Sequence, residues 1–131
     1  MIVGIGNDVC DIRRIALVSG RKGERFARKV LGPDEWRVYD YRRGRSAERG
    51  LAFLATRFSA KESFSKAIGL GLKVPMRLRD CEILNEPSGK PFIRLHGELA
   101  AWFESQGWRA HVTVSDETDY AMTVVVVEHL P

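Results

Sequence analysis

The sequence predicts an α+β fold, a small antiparallel or mixed sheet packed on a long central helix. Three observations carry that expectation. Residues 47–68 keep a helical pattern until Gly69 and Gly71 stop it, β-rich segments occupy both ends of the chain, and the turn-rich stretch Glu86-Pro87-Ser88-Gly89-Lys90 separates two short strand-like runs. With 131 residues and 44% hydrophobic content, residues 1–131 are expected to form one domain.

Residues 1–6, MIVGIG, read as a short buried strand whose glycines permit close backbone approach, which places Asp8 at a strand end. There Asp8 can bind a metal, cap a helix or sit in a turn. Asp11 can cap a helix from Ile12, with Ile12, Ile15 and Leu17 inward and Arg13, Arg14 and Arg21 outward. A second helix, Glu24 to Leu31, buries Phe26, Val30 and Leu31 and exposes Arg25, Arg28 and Lys29. Gly32-Pro33-Asp34-Glu35 starts a third helix, with Glu35 as a capping residue, that runs to about Tyr41 and ends in the basic loop RRGRSAERG. After the central helix, strands are expected over 79–85 and 91–95, a helix over 98–106 burying Leu99, Trp102 and Phe103, and strands over 109–115 and 120–128.

The central helix carries the chemistry. At about 100° per residue, Glu62 falls among Leu51, Leu54, Ala55 and Phe58, the side expected to face the core. A carboxylate there needs a partner, and Lys66 lies four residues on in the favourable order. Arg57 and Lys61 form a second cationic row, while Phe53, Phe64 and Ile68 line another side, so the helix is central. The plain alternative is a Glu–Lys pair snorkelling at the core edge.

The net charge of +4 is uneven: residues 1–49 hold 12 Lys/Arg against 7 Asp/Glu, and residues 50–131 hold 9 against 10. An anionic partner or substrate is implied, either nucleic acid, an acidic protein or a phosphorylated small molecule, against the plain reading of a solvated basic face. A nucleic-acid-binding module is the competing function, but its aromatic-interleaved basic sheet is not evident. A purely structural interaction domain is the third reading. Cys10 and Cys81 form neither a metal-ligand spacing nor a disulfide framework, so a reduced, cytoplasmic setting is expected. No signal peptide or membrane span is expected, because Met1 leads into an apolar run without a basic region and the C-terminal apolar run is short.

Gly4 and Gly6 lack the third glycine of a dinucleotide fingerprint, and Gly69-Leu70-Gly71-Leu72-Lys73 lacks Walker spacing. His96, His111 and His129 are too scattered for a zinc site. Ser59, Ser63 and Ser65 lie near basic residues, yet no His and acid at readable spacing make a nucleophilic site. An acid at a strand end and another on a core helix, Asp8 and Glu62, can hold Mg²⁺ if the fold brings them together, which their spacing alone does not decide; Lys66 is then one turn away to neutralise phosphoryl charge.

The segments GIGNDVCDIRRI, FARKVLGPDE, FLATRFSAKESFSKAIGLG, EILNEPSGKPFIRL and HVTVSDETDYAMTVVVVE, in this order and spacing, resemble the holo-[acyl-carrier-protein] synthases, small bacterial 4′-phosphopantetheinyl transferases. The resemblance covers almost the whole chain. It implies transfer of the 4′-phosphopantetheine arm of coenzyme A to a serine of an apo-acyl carrier protein, with release of adenosine 3′,5′-bisphosphate. It also implies that Asp8 and Glu62 hold Mg²⁺ against the CoA pyrophosphate and that Lys66 assists transfer, leaving Glu62 or a metal-bound water as the base. On the same footing, Arg57, Lys61, Lys66, Gly69, Lys90 and Pro91 are candidate CoA contacts. Arg13, Arg14, Arg21, Arg25 and Arg28 are the candidate docking face for the acidic carrier, and a homotrimer with CoA at the subunit boundary is expected. Two positions depart from the family pattern. Asp116 stands where many relatives have histidine, so that histidine's CoA contact does not carry over, and Gly32 replaces a helix-capping Ser or Thr.

Overall fold

Strand β1 (Ile2–Asp11) pairs antiparallel with the last strand, β5 (Tyr120–His129), so the two ends of the chain lie side by side. A computed structural model describes residues 1–131. Between these strands come α1 (Ile12–Lys22), α2 (Arg25–Val30), α3 (Pro33–Arg45), α4 (Ala47–Ala67), a 3₁₀ turn at Leu78–Asp80, β2 (Cys81–Asn85), β3 (Pro91–Leu95), α5 (Gly97–Ser105) and β4 (Trp108–Asp116). The strands form two antiparallel sheets, one in the order β1-β5-β4 and the other the expected hairpin of β2 and β3.

Helix α4 lies against the inner face of the larger sheet. Gly4 and Gly6 make this possible: a Cβ at Gly4 would stand 1.8 Å from the Ala67 carbonyl oxygen, and one at Gly6 would stand 1.9 Å from that of Ser63. The absence of two side chains thus lets helix backbone rest on strand backbone. On one side of α4, Phe53, Leu54 and Ala55 pack with Ile12, Ile15, Val30, Leu31 and Tyr39. On the other, Ala60 and Phe64 pack with Ile83, Leu99, Phe103, Val125 and Val127.

A buried polar knot fixes α4 to its surroundings. Lys61 is fully buried, and its ammonium donates to Glu35 Oε1 at 2.6 Å and to the carbonyl oxygens of Val30 and Leu78 at 2.6 and 2.9 Å. Glu35 in turn accepts from the backbone N–H groups of Gly32 and Ile83. Burial pushes the Glu35 carboxyl up, while Lys61 and the two N–H groups pull it back. Glu82, also fully buried, accepts from the N–H groups of Asp34 and Glu35 at 2.9 Å each and pairs with His96 Nε2 at 2.7 Å. It does what an N-cap hydroxyl at position 32 would do, and a Cβ at Gly32 would sit 2.5 Å from Glu82 Cγ. The glycine that departs from the family pattern therefore makes room for a cap supplied by β2.

Several elements differ from the expectation. β1 continues to Asp11 because the long β5 supplies a partner for every residue from Asn7 onward, so Asp8 is inside the strand, opposite Thr123, rather than at its end. The basic stretch after Tyr41 is not a loop. α3 continues through it to Arg45, and the single extended residue Ser46 turns the chain and caps α4 by accepting from the Arg49 N–H. Leu17 is exposed rather than inward. Asp11 caps α1 as expected, accepting from the Arg13 N–H.

Candidate active site

Along β1, positions 4, 6, 8 and 10 point to the inner face, so Asp8 is aimed toward α4. Three hydroxyls anchor the helix there: Thr123, opposite Asp8, pairs with Ser59 at 2.9 Å and with Ser63 at 2.7 Å, and Ser59 also donates to the Asp8 carbonyl oxygen at 3.4 Å. With Ser59 and Ser63 held to the sheet, Glu62 emerges at the open edge of the helix. Asp8 and Glu62 line one cavity of about 390 Å³, together with Arg14, Val18 and the edge-to-face pair Phe26 and Phe58.

The two acids share one cavity, and their charges are felt between them. Burial, then the Asp8 charge, pushes the Glu62 carboxyl above its ordinary value, and Lys66 offsets this only in part. Lys66 does not close on Glu62, as the i,i+4 spacing predicts. Its ammonium donates to the Asn7 carbonyl oxygen at 2.9 Å and stands 3.7 Å from Asp8 Oδ1. Glu62 is left without a hydrogen-bonded cation, beside a second carboxylate. Such a pair favours a bound cation, and an all-oxygen donor set suits a hard divalent ion. The fit to Mg²⁺ therefore rests on two carboxylates lining one cavity, whose mutual repulsion a cation relieves.

The structure corrects other assignments. Lys61 is enclosed in the Glu35 knot with all three donors satisfied, so it cannot reach a CoA phosphate. Arg57, 5% exposed, donates to the Ile83 carbonyl oxygen, Thr56 and Asn85 and stacks on Phe53, which makes it a strut between α4 and β2; burial lowers its guanidinium to about 10. Lys90 and Pro91 line a separate cavity with Arg109 and His111, away from Asp8 and Glu62 within the chain. Gly69 is exposed at the end of α4 with φ +80°, and its N–H donates to the Lys66 carbonyl oxygen. Among the arginines expected to dock a carrier, Arg13 is held by both Asp11 carboxylate oxygens and by Tyr120. Arg28 contacts Glu24 and stacks on Trp36, whereas Arg14, Arg21 and Arg25 are exposed on α1 and α2 and Arg14 borders the acidic cavity. Asp116 ends β4, exposed, and its charge acts on Arg57.

Sequence reasoning missed the apolar wall made by Phe26 and Phe58 and the Ser59–Thr123–Ser63 hydroxyl cluster. The serines' i,i+4 spacing was its only local signal. No helix of the structure is long and apolar enough to cross a membrane.

A strand carboxylate and a helix carboxylate thus line one cavity, with a lysine beside the first. The family model of the 4′-phosphopantetheinyl transferase superfamily matches residues 4–125, and the chain belongs to that superfamily. Within it, the chain's relatives are holo-[acyl-carrier-protein] synthases. The one from Methylibium petroleiphilum is 66% identical over 128 residues, covering 98% of this chain and 97% of the relative. The crystal structure of the Neisseria meningitidis enzyme is 35% identical and superposes with a TM-score of 0.90 over 98% of this chain and 99% of its own. A Bacillus anthracis holo-(acyl-carrier-protein) synthase structure, solved in complex with CoA (3′,5′-ADP), is 30% identical with a TM-score of 0.81, covering 98% of each chain.

Proposed function

We propose that this enzyme moves 4′-phosphopantetheine from coenzyme A to a serine of an apo-acyl carrier protein, in a Mg²⁺-dependent reaction that releases adenosine 3′,5′-bisphosphate. The observation that carries the reading is the shared cavity of Asp8 and Glu62, with Lys66 beside Asp8. The names of the relatives and the CoA complex of the Bacillus anthracis protein support the substrates. In the transfer, the carrier serine oxygen bonds to the phosphorus that bears pantetheine, and the bond from that phosphorus to the bridging oxygen breaks. The bisphosphate leaves with the bond's electron pair. The serine proton goes to a base.

Asp8 and Glu62 are the residues that would hold Mg²⁺, and the ion when bound supplies positive charge to the pyrophosphate. Lys66, exposed at the cavity edge, is this chain's own cation for charge building on the leaving bisphosphate. Glu62, its proton affinity raised by burial and by Asp8, is the chain's candidate base for the serine proton. Phe26 and Phe58 keep one wall of the cavity apolar and limit water there.

The outer face of the larger sheet exposes Ile5, Val9 and Met122, which are 65%, 58% and 53% accessible. An apolar strip of this kind fits burial against other copies of the chain, in the homotrimer that the family resemblance implies. Lys90 and Pro91 then remain candidates for CoA contact across a subunit boundary. The buried free thiols of Cys10 and Cys81 fit a reducing, cytoplasmic setting. The test is the intact mass of an apo-carrier incubated with this enzyme, CoA and Mg²⁺. A gain of one phosphopantetheine is expected, and an unchanged mass overturns the reading.

A further inference from the structure

The acidic cavity does not end at Phe26 and Phe58. Those two residues and Val18 also border a second cavity of about 450 Å³, whose far side is Lys29, Leu72 and Leu78. Lys29, Leu72 and Leu78 in turn border a third of about 950 Å³. The three make one trough from Glu62 to the segment between α4 and β2. Its near and middle parts are mainly apolar, Leu72, Met76 and Leu78 carry apolar surface into the far part, and cations stand along it: Arg14 near the acids, Lys22 and Arg25 in the middle, and Lys29, Arg77 and Arg79 at the far end, where Asp80 is the one acid. Leu72, 51% exposed, lies across the middle cavity from Lys22 and Arg25, and Val74, two residues on, is 66% exposed.

We infer that the acyl carrier protein is gripped from two sides, with Leu72–Arg79 forming a second docking wall that faces the basic wall of α1 and α2. The carrier's identity rests on the function proposed above. The occupant committed to is an acidic amphipathic helix of that carrier, because apolar surface with cations along it complements an apolar stripe flanked by acids. A free phosphate or nucleotide is a poorer match, since the far cations do not converge on one point. Arg79 Nε donates to the Leu31 carbonyl oxygen, and Arg28 lies over the Trp36 ring at 4.2 Å.

The experiment measures binding of an apo-carrier whose acceptor serine is alanine to the full chain, by titration calorimetry. Wild type is compared with Arg77→Glu, with Lys29→Glu and with the charge-matched control Arg37→Glu on α3. Circular dichroism checks that each variant is folded. Arg77→Glu and Lys29→Glu are each expected to weaken the carrier by about tenfold at low salt, less as salt rises, and to leave CoA affinity unmoved. Carrier affinity equal to that of Arg37→Glu overturns the second wall. So does an Arg77→Glu loss that falls on CoA or adenosine 3′,5′-bisphosphate, which marks a nucleotide site, or a change in oligomer mass, which marks a contact between copies. A wild type that neither binds nor modifies the carrier overturns the proposed function itself and this inference with it.

Discussion

Lys66 Nζ stands 3.7 Å from Asp8 Oδ1 and donates to the carbonyl oxygen of Asn7, so the cation one turn beyond Glu62 is tethered to the strand that carries the other acid. One side chain thus ties α4 to β1 at the site. Removing the charge with Lys66→Met is expected to lower kcat by about a hundredfold or more, the size of effect seen when a preorganised donor to developing charge is lost. Steady-state kinetics with CoA and apo-carrier check it. A Lys66→Met enzyme with near-normal kcat removes Lys66 from the chemistry.

Glu62 links the site to stability. Its carboxyl lies above the ordinary value because of burial and the Asp8 charge, so its contribution to folding is fully present below the ordinary carboxylate value and is lost as pH rises through the raised one. Ionised Glu62 therefore lowers stability near neutrality when no cation is bound. In a chelator, Glu62→Gln is expected to melt above wild type at about pH 7.5, with the gap narrowing as pH falls toward the ordinary carboxylate range. Thermal melts with and without chelator check it; a variant that melts below wild type at the higher pH contradicts the crowded-carboxylate account.

Gly6→Ala tests the seat of α4. The added methyl has no room before the Ser63 carbonyl oxygen, and backbone must move, at a loss of about 3 kcal/mol or more. Gly20→Ala is the opposite case, in the interior of α1 with nothing within 4 Å of the new Cβ, and should gain about 0.5–1 kcal/mol. Denaturant unfolding measures both. Equal effects of the two substitutions contradict the close approach of helix and strand.

Lys61→Met tests the buried knot. It leaves the Glu35 carboxylate without its cation and should destabilise by about 3–5 kcal/mol, with Lys61→Met/Glu35→Leu recovering much of the loss. A folded Lys61→Met enzyme of normal stability but weakened CoA binding would restore the phosphate role that the sequence implied for this lysine.

The parts of the fold legible in the sequence are those set by neighbours along the chain. Asp11 before Ile12 reads as a cap, the glycines after Ala67 read as a helix stop, and Pro87-Ser88-Gly89 reads as a hairpin turn, because each depends on local backbone preference. Asp8 reads as a strand end in the sequence because the ladder that extends β1 belongs to Tyr120–Val124, more than a hundred residues away. Lys61 and Arg57 look like free cations in sequence for the same reason: Glu35, Ile83 and Asn85, which hold them, arrive only through packing. Lys66 and Glu62 are in register for an ion pair, yet Asp8 and the Asn7 carbonyl oxygen draw the ammonium the other way.

The claim on which the account depends is that Asp8 and Glu62 serve one divalent ion together. Titration of Mn²⁺ into the enzyme in the presence of CoA, followed by electron paramagnetic resonance, reads this directly. One ion per chain is expected in wild type, and Asp8→Asn and Glu62→Gln, each alone, should abolish that binding. Undiminished Mn²⁺ binding in either variant would contradict a shared site.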